Sequence, residues 1–269
     1  MSAEGSNLLA MELTTSREFA SRLEYLPEIG STNTYLLGQA KNTEEWPDFS
    51  VVVTDNQTAG RGRMDRVWVA QPGVALAVSV LLRPVEYGIG SFGWLPLAAG
   101  LAMRNALATL IHDAQVSLKW PNDVLVNGEK ISGILAEVTE DGSALVIGAG
   151  VNLKQTKEQL PIPTATSLAL HGVTGFELDD ILVRYLAAFR GIYDHFNLYL
   201  GDPEKSGLRL EVLEASSTIG SKVSVQLPDA SSFEGKAIGL DNQGRLLIAV
   251  DDPTEIRAVA AGDITHLRQ

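Results

Sequence analysis

The sequence predicts an α+β protein, with a mixed, largely antiparallel sheet, packed helices and a small C-terminal β-barrel of the SH3-like kind. Three observations support this class. Apolar, β-branched runs in the middle of the chain are separated by Asn-Gly and Asp-Gly turns, helical patterns flank them, and about 50 residues of short strands end the chain. Asn-Gly and Asp-Gly pairs are typical of hairpins. Antiparallel pairing therefore dominates, which separates the chain from doubly wound parallel folds.

The first half of the chain alternates short strands and helices. Strands are predicted at 23–26, 50–54 and 74–82, the last of them from its β-branched, apolar content. Helical patterns predict helices at 33–40 and 94–112, the second with leucines among many alanines, as suits a helix packed on a sheet. The run 74–82 is interrupted by Ser79 and is far shorter than the ~20 residues of a membrane span.

The second half begins with strands joined by tight turns. From 117 to 151, apolar runs flank Asn127-Gly128 and Asp141-Gly142, and amphipathic helices follow at 179–199 and 203–215. Short strands are then predicted at 222–227, 233–240, 246–250 and 256–260. We place a boundary at Ser216-Ser217, which divides the chain into a large domain, residues 1–215, and a small one, residues 216–269.

The composition excludes several classes of function. A formal net charge of -12 argues against nucleic acid as a main partner. The chain has no cysteine, which excludes disulfides, thiolate nucleophiles and cysteine metal sites. The histidines are too scattered for a zinc site or a catalytic triad: His112, His171, His195 and His266. With no recognisable secretory signal or membrane segment, we expect a cytoplasmic protein.

Three arginines lie within six residues in the segment 60–68, which begins Gly60-Arg61-Gly62-Arg63 and ends at Trp68. This positive charge is local in an acidic chain. Glycines let the backbone come close to a ligand, and arginines donate forked hydrogen bonds to carboxylate or phosphate. A solvated Arg-Gly loop is the plain alternative. The segment favours a clamp for a small anion.

Three further segments carry polar or small residues at strand ends. Lys119-Trp120-Pro121-Asn122-Asp123 enters a hairpin, where a simple turn or a site for a nucleotide and a cation would explain it. Within 128–137, Gly133 interrupts an apolar strand, which indicates a bulge or a ligand against the backbone. The segment 148–153 ends a strand with small residues and Asn152, and by itself is an ordinary strand end.

The order and spacing of these segments resemble those of biotin protein ligases. The matching residues are Ser31-Thr32-Asn33, Gln57, Gly60-Arg61-Gly62-Arg63, Lys119-Trp120-Pro121-Asn122-Asp123, Lys130-Ile131-Ser132-Gly133-Ile134-Leu135 and Gly148-Ala149-Gly150-Val151-Asn152. The resemblance covers about 23–152 and, more loosely, the C-terminal domain. It implies the class II synthetase-like catalytic fold of that family, activation of biotin with ATP to biotinyl-5'-adenylate, and transfer of biotin to one lysine of a carrier domain.

The resemblance also implies roles for individual residues. Biotin would contact Ser31, Thr32, Asn33, Gln57, Arg61, Gly62, Arg63, Lys130 and Gly133, where Ser31 or Asn33 can also cap the helix that follows. ATP would contact Arg61, Trp68, Lys119, Asn122 and Asn152, with Trp68 over the adenine. The catalytic residues would be Arg61, Lys130 and Asp123. Asp123 would bind Mg²⁺ and is a candidate acceptor for the proton of the carrier lysine, and Arg268 is a candidate contact to the ATP phosphates.

Two features depart from the usual pattern of that family. Met64 and Asp65 occupy positions where a basic residue and a glycine are common. Aspartate tolerates left-handed backbone better than most residues, so we expect the turn to survive and the segment 60–68 to act as a lid over biotin and its adenylate. Only 30 residues precede Ser31. We therefore expect a short form of the enzyme without the N-terminal DNA-binding domain of many relatives.

Two other functions stay open. A lipoate or octanoyl ligase has the same fold and the same acyl transfer to lysine, but its glycine-rich motif with arginines and a histidine is absent from this sequence. A catalytically inactive biotin-binding regulator would not need the nucleotide residues Lys119, Asn122 and Asp123. The expected partner is the biotin carboxyl carrier domain of a biotin-dependent carboxylase. We expect a monomer or a weak homodimer.

Overall fold

A computed structural model describes residues 13–84, 87–227, 231–250, 255–260 and 262–267. Its larger sheet contains β1 (Arg22–Tyr25), β2 (Ser50–Thr54), β3 (Ala75–Leu82), β4 (Val116–Lys119), β5 (Asp123–Val126), β6 (Glu129–Val138) and β7 (Leu145–Asn152). The strand order is β1-β2-β3-β7-β6-β5-β4. β1 and β2 pair in parallel, and the other neighbours pair antiparallel. The predicted mixed, largely antiparallel sheet is confirmed.

The hairpin between β5 and β6 forms where Asn127-Gly128 predicts it. Both residues have positive φ, 49° and 84°, as a tight I′ turn requires. Beyond the turn, Lys130 lies opposite Leu125 and Ser132 lies opposite Val124, so one residue of β6 is extra. This β-bulge changes the alternation of side chains along β6. It brings Lys130 to the same face as Gly133, as the contacts below show.

Helices lie against both faces of the larger sheet. On one face, α2 (Trp94–Ala108) and α3 (Leu178–Leu198) pack on the main core. α2 buries most of its circumference, as expected for a helix that is apolar on nearly every side. On the other face, α1 (Thr32–Gln39) contacts β2, β3 and β7, where Leu36 and Trp46 belong to a smaller core. The site lies on this second face, next to α1.

A second sheet follows α4 (Leu208–Ala215). Its strands are β8 (Lys222–Gln226), β9 (Ser232–Leu240), β10 (Leu246–Ala249), β11 (Ile256–Val259) and β12 (Asp263–His266). All pair antiparallel in the order β11-β10-β9-β8-β12, which confirms the small C-terminal β unit. Trp120 ties the two sheets together, because its Nε1 donates to the Gly244 carbonyl at 3.1 Å and its backbone N donates to Thr218 Oγ1 at 3.0 Å. The domain boundary at residue 215 stays a prediction.

Three elements differ from the sequence-based expectation. The helix predicted at 203–215 begins only at Leu208, because Gly207 is left-handed at φ 72° and Asp202 accepts backbone hydrogen bonds that hold a turn before it. The helix predicted at 94–112 ends at Ala108. β12 was not predicted, since four residues carry too little pattern.

Within the described ranges, no helix is long and apolar enough to cross a membrane.

Candidate functional site

The predicted site residues meet on the sheet face beside α1, around two adjoining cavities. The smaller cavity, of about 30 Å³, is lined by Ser31, Thr32, Asn33, Gln57, Arg61, Trp68 and Gly133, among others. The larger cavity, of about 440 Å³, is lined by Arg61, Gly62, Arg63, Trp68, Lys119, Asn122, Asp123, Lys130, Gly133 and Asn152, among others. The structure thus brings together every predicted site residue that it describes. Arg268 lies outside the described residues.

The start of α1 forms a polar wall of the smaller cavity. Ser31 is the helix N-cap, and its hydroxyl accepts from the Thr34 backbone N at 3.4 Å, so the expected capping role is confirmed. Gln57 Oε1 accepts from the backbone N of Thr32 at 2.9 Å and from its Oγ1 at 3.1 Å. Ser79 Oγ lies 2.7 Å from the same Thr32 Oγ1. The wall is therefore a connected hydrogen-bond network whose geometry is set before any ligand arrives.

Asn33 extends this network across the sheet. Its Oδ1 accepts from Ser79 Oγ at 2.6 Å, and its Nδ2 donates to the Leu135 carbonyl at 3.2 Å and to Glu137 Oε2 at 2.9 Å. Asn33 is buried, with only 3% of its surface exposed. Gly148 lies directly beneath it, and a Cβ on that glycine would overlap Asn33 Oδ1. Position 148 therefore requires a glycine, because Asn33 occupies the space that a side chain would need.

The lid, residues 60–68, is a small hairpin. The Gly62 backbone N donates to the Arg66 carbonyl at 2.7 Å. At the tip, Met64 and Asp65 have φ of 55° and 58°. The left-handed turn expected at Asp65 is thus confirmed, and it includes Met64 as well. Left-handed backbone is costly for residues with a Cβ, so this tip is formed at some cost in the free energy of folding.

Trp68, at the end of the lid, reaches down to the floor of the smaller cavity. A Cβ on Gly150 would lie 2.5 Å from Trp68 Cε2, and a Cβ on Gly133 would lie 3.4 Å from Trp68 Cζ3. Both glycines therefore form the surface on which the indole lies. The remaining 30 Å³ is far below the roughly 300–1,000 Å³ of ligand pockets. In this conformation Trp68 fills the space predicted for biotin, and its predicted contact with adenine requires another position of the ring.

Two predicted catalytic cations are each paired with a carboxylate. Arg61 Nη2 lies 2.6 Å from Glu137 Oε2 at the smaller cavity. Lys130 Nζ lies 2.6 Å from Asp123 Oδ1 at the larger one, at an angle that makes the contact an ion pair and not a directed hydrogen bond. Lys130 also lies against the backbone of Gly133, where a Cβ would lie 3.1 Å from its Nζ. The bulge in β6 places Lys130 and Gly133 on the same face of the strand.

Arg63 connects the lid to both sheets. Its Nη1 donates to Asn122 Oδ1 at 3.0 Å, and its Nη2 donates to the Gly262 carbonyl at 3.5 Å. Asn122 Nδ2 in turn donates to the Ile134 carbonyl at 3.1 Å. Burial lowers the pKa of the Arg63 guanidinium, with the positive charge of Arg66 acting in the same direction and Asp123 opposing it. The two acceptors partly replace the water that the buried guanidinium has lost.

Lys119 adds further positive charge to the larger cavity. Burial is the main cause that lowers its pKa; Asp123 opposes this shift, and the positive charges of Lys130 and Arg66 add to it. Such like-charge crowding favours an anion that would enter the cavity. The cavity is therefore suited to phosphate and carboxylate groups.

Asn152 lines the larger cavity, yet its amide is used within the protein. Its Nδ2 donates to the Thr166 carbonyl at 2.9 Å, and its Oδ1 accepts from Gln155 Nε2 at 3.0 Å. The side chain is almost fully buried. A direct role toward ATP stays a prediction, and the hydrogen bonds show that Asn152 also holds the loop after β7.

Sequence reasoning missed two members of the site, Ser79 and Glu137. Ser79 was visible as the polar residue that interrupts an apolar strand, and buried polar side chains in strands usually have partners. Glu137 was visible by alternation, because it follows Gly133 and Leu135 at steps of two along β6. Neither signal indicated the partner, since both partners lie far away in sequence.

Comparisons with known proteins agree with this site. The Biotin/lipoate A/B protein ligase family matches residues 25–152, and the Biotin protein ligase C terminal domain matches residues 218–267. A biotin–[acetyl-CoA-carboxylase] ligase of Mycobacterium tuberculosis is 39% identical over 249 residues, which cover 92% of this chain and 90% of the relative.

Two solved structures extend the comparison. A biotin protein ligase from Aquifex aeolicus in complex with biotin and ATP superposes with a TM-score of 0.74 and 28% identity, covering 93% of this chain and 100% of the other. A biotin protein ligase from Leishmania major in complex with biotinyl-5-AMP superposes with a TM-score of 0.59 and 25% identity, covering 90% and 99%. Sequence, fold and site geometry agree, and this chain belongs to the biotin protein ligase family.

Proposed function

We propose that the protein is a biotin–[acetyl-CoA-carboxylase] ligase, which activates biotin with ATP and transfers it to a lysine of the carrier domain of acetyl-CoA carboxylase. One observation carries the proposal. The positive side chains of Arg61, Arg63, Lys119 and Lys130 line a cavity that continues into the polar pocket beside α1. The related ligase of Mycobacterium tuberculosis and the Aquifex aeolicus structure with biotin and ATP support it.

The first step joins two anions, which explains the cluster of cations. A carboxylate oxygen of biotin attacks the α-phosphorus of ATP, the bond from that phosphorus to the bridging oxygen breaks, and pyrophosphate leaves. No base is required, because the carboxylate is already ionised near neutral pH. Lys130 and Arg61 offset the repulsion between the reactants and stabilise the charge that develops. The remaining contribution is positioning by the prearranged network.

The second step transfers the biotinyl group to the carrier. The neutral amine of the carrier lysine attacks the carbonyl carbon of biotinyl-5'-adenylate, the bond from that carbon to the phosphate oxygen breaks, and AMP leaves. The amine must lose a proton, and we propose Asp123 as the acceptor, because its carboxylate lines the larger cavity beside Lys130. A negative carboxylate would also attract the ammonium form of the incoming lysine.

Asp123 also fits a Mg²⁺ ion that accompanies ATP. Within the described ranges, no group of three or more His, Asp or Glu side chains is arranged to hold a metal. Mg²⁺ commonly takes one or two carboxylates together with substrate phosphates and water, so a single carboxylate among phosphate-binding cations is a suitable donor. When bound there, the ion would neutralise phosphate charge.

The test uses the purified protein with ATP, Mg²⁺ and the carrier domain of acetyl-CoA carboxylase. Biotin, lipoate and octanoate are supplied in separate reactions, and pyrophosphate release and labelling of the carrier are measured. We expect pyrophosphate release and labelling of the carrier with biotin only. A carrier whose target lysine is replaced by arginine should not be labelled. Pyrophosphate release with lipoate or octanoate but not with biotin would identify the other ligase class. Biotin binding without pyrophosphate release would identify an inactive regulator.

A matched pair of variants connects the activity to the site. Lys130→Ala should lower the rate of pyrophosphate release by roughly 10²–10³-fold, because one group that stabilises developing charge is removed. Lys157→Ala is the control, since Lys157 pairs with Glu129 at 2.6 Å and its side chain is 45% exposed. Equal rates for both variants would remove Lys130 from the mechanism.

A further inference from the structure

Glu137 lies near the end of β6, on the face that carries Gly133 and Leu135. A single oxygen, Oε2, accepts from Arg61 Nη2 at 2.6 Å and from Asn33 Nδ2 at 2.9 Å. Its side chain is 24% exposed, compared with 43% for Arg61. One carboxylate therefore connects the lid to the buried start of α1.

We propose that Glu137 is a positioning residue of the ligation reaction, which holds Arg61 across the biotin pocket and yields it to the anion of the substrate. The proposal rests on the proposed function for the identity of that anion, the carboxylate of biotin or the phosphate of its adenylate. The tether itself exists in the ligand-free protein. It can therefore be tested without substrate.

Charge explains why the contact must be exchanged. If a substrate anion approached Arg61 while Glu137 stayed bound, two negative groups would share one guanidinium, and they would repel each other more strongly in a partly buried pocket than in water. Moving the arginine from a protein carboxylate to a substrate anion removes this repulsion. The ion pair is partly exposed, so its net contribution is small enough for a ligand to overcome.

The second cation of the site follows the same arrangement. Lys130 is paired with Asp123 at the same 2.6 Å. In both pairs a carboxylate of the protein occupies the position beside a cation that an anionic substrate would take. Two of the cations are thereby paired, while Arg63 and Lys119 keep the larger cavity positive.

Glu137 also determines the orientation of Asn33. The amide of Asn33 is held at both ends, with Oδ1 accepting from Ser79 and Nδ2 donating to Glu137. A carboxylate accepts only, so the amide nitrogen must point toward Glu137. Asn33 and Arg61 donate to the same oxygen, and the contact with Asn33 does not depend on Arg61, so it stays in place when Arg61 is exchanged.

The experiment uses Glu137→Gln, which keeps the shape of the side chain and an acceptor for Asn33 but removes the ion pair. Hydrogen–deuterium exchange of residues 60–68 should rise about two- to fivefold in the ligand-free variant, the range expected for one partly exposed pair. With a non-hydrolysable biotinyl-adenylate analogue bound, wild type and variant should exchange equally. Biotin should bind about two- to fivefold more tightly to the variant, and the uncharged alcohol analogue of biotin should bind unchanged.

Two controls separate a tether from a general loss of structure. Glu129→Gln removes a comparable ion pair, with Lys157 at 2.6 Å, from the other end of β6, and should leave exchange in the lid unchanged. In an Arg61→Gln background, Glu137→Gln should have no further effect on exchange in the lid, because their contact is already lost.

The proposal is overturned if Glu137→Gln without ligand shows wild-type exchange in the lid, or if its exchange rises equally with and without the adenylate analogue. It is also overturned if the effects of Glu137→Gln and Arg61→Gln on exchange in the lid simply add. It is also overturned if biotin and its alcohol change affinity together. Failure of the proposed function would look different. Wild-type protein would then release no pyrophosphate from ATP in the presence of biotin, while the exchange measurement on the protein alone would still report on the tether.

Discussion

The indole of Trp68 lies on the backbone of Gly150, so closely that a Cβ on that glycine would be 2.5 Å from Trp68 Cε2. The lid of the enzyme thus contacts the floor of the pocket through one aromatic ring. The ring and the bicyclic ring system of biotin cannot share the remaining 30 Å³. We therefore predict that biotin binding displaces Trp68 from Gly150.

Displacement of Trp68 should be visible in tryptophan fluorescence. Trp46 and Trp94 are at most 1% exposed and line neither cavity, and Trp120, which lines the larger cavity, is 4% exposed. We expect a saturable change of intensity or emission wavelength on titration with biotin, and its loss in Trp68→Phe, which keeps an aromatic ring for the floor. A full signal in Trp68→Phe would show that the change arises elsewhere.

Gly148→Ala should weaken biotin binding through Asn33. The added Cβ would overlap Asn33 Oδ1, and overpacking of this kind typically costs about 1–3 kcal/mol. Because the displaced amide belongs to the pocket wall, the KM for biotin should rise more than the KM for ATP. Gly239→Ala in β9 is the control, since no atom lies within 4 Å of its Cβ position. An equal rise of both KM values would indicate a general loss of structure.

Asp123→Asn separates the two proposed roles of this carboxylate. As a Mg²⁺ ligand, Asp123 affects adenylation, so the variant should need more Mg²⁺ for pyrophosphate release. As the proton acceptor, it affects transfer, so the variant should transfer preformed biotinyl-adenylate to the carrier roughly 10²-fold more slowly. Transfer at the wild-type rate would rule out the role as proton acceptor and leave the metal role intact.

His266 should make stability depend on pH. Burial, followed by the positive charge of Lys119, lowers its pKa from the ordinary 6.5. Below about pH 6.5 the unfolded chain binds a proton that the folded chain does not. The free energy of unfolding should therefore be highest above the ordinary pKa, decrease as the pH falls through it, and level off below the folded pKa.

The measurement for His266 is urea unfolding at several pH values between about 8 and about 5. His266→Asn is the comparison, because asparagine can still pair with Thr218 Oγ1, which lies 3.2 Å from His266 Nε2. The difference between the two proteins should grow as the pH falls below about 6.5, since only wild type loses stability through this group. Parallel curves would mean that His266 does not contribute.

Local sequence signals were sufficient for much of the fold. Asn127-Gly128 predicted a hairpin turn, and both residues have the left-handed backbone that such a turn requires. Asp65 was expected to accept left-handed backbone, and it does so. Such features depend on a few adjacent residues, so they can be read without knowledge of the fold. The helix predicted from 203 was too long, because its amphipathic pattern gave no weight to Gly207.

The sequence by itself identified most of the residues that line the two cavities, because the motifs carry the necessary chemistry in a fixed order, but it did not identify Ser79 or Glu137. Only the tertiary structure decided how they pair. Simple alternation would place Lys130 and Gly133 on opposite faces of β6, and the bulge places them on one. Glu137 reaches Arg61 across 76 positions of the chain, and Asn33 across 104. Contacts of that kind depend on sheet order and register, which arise from the packing of the whole chain.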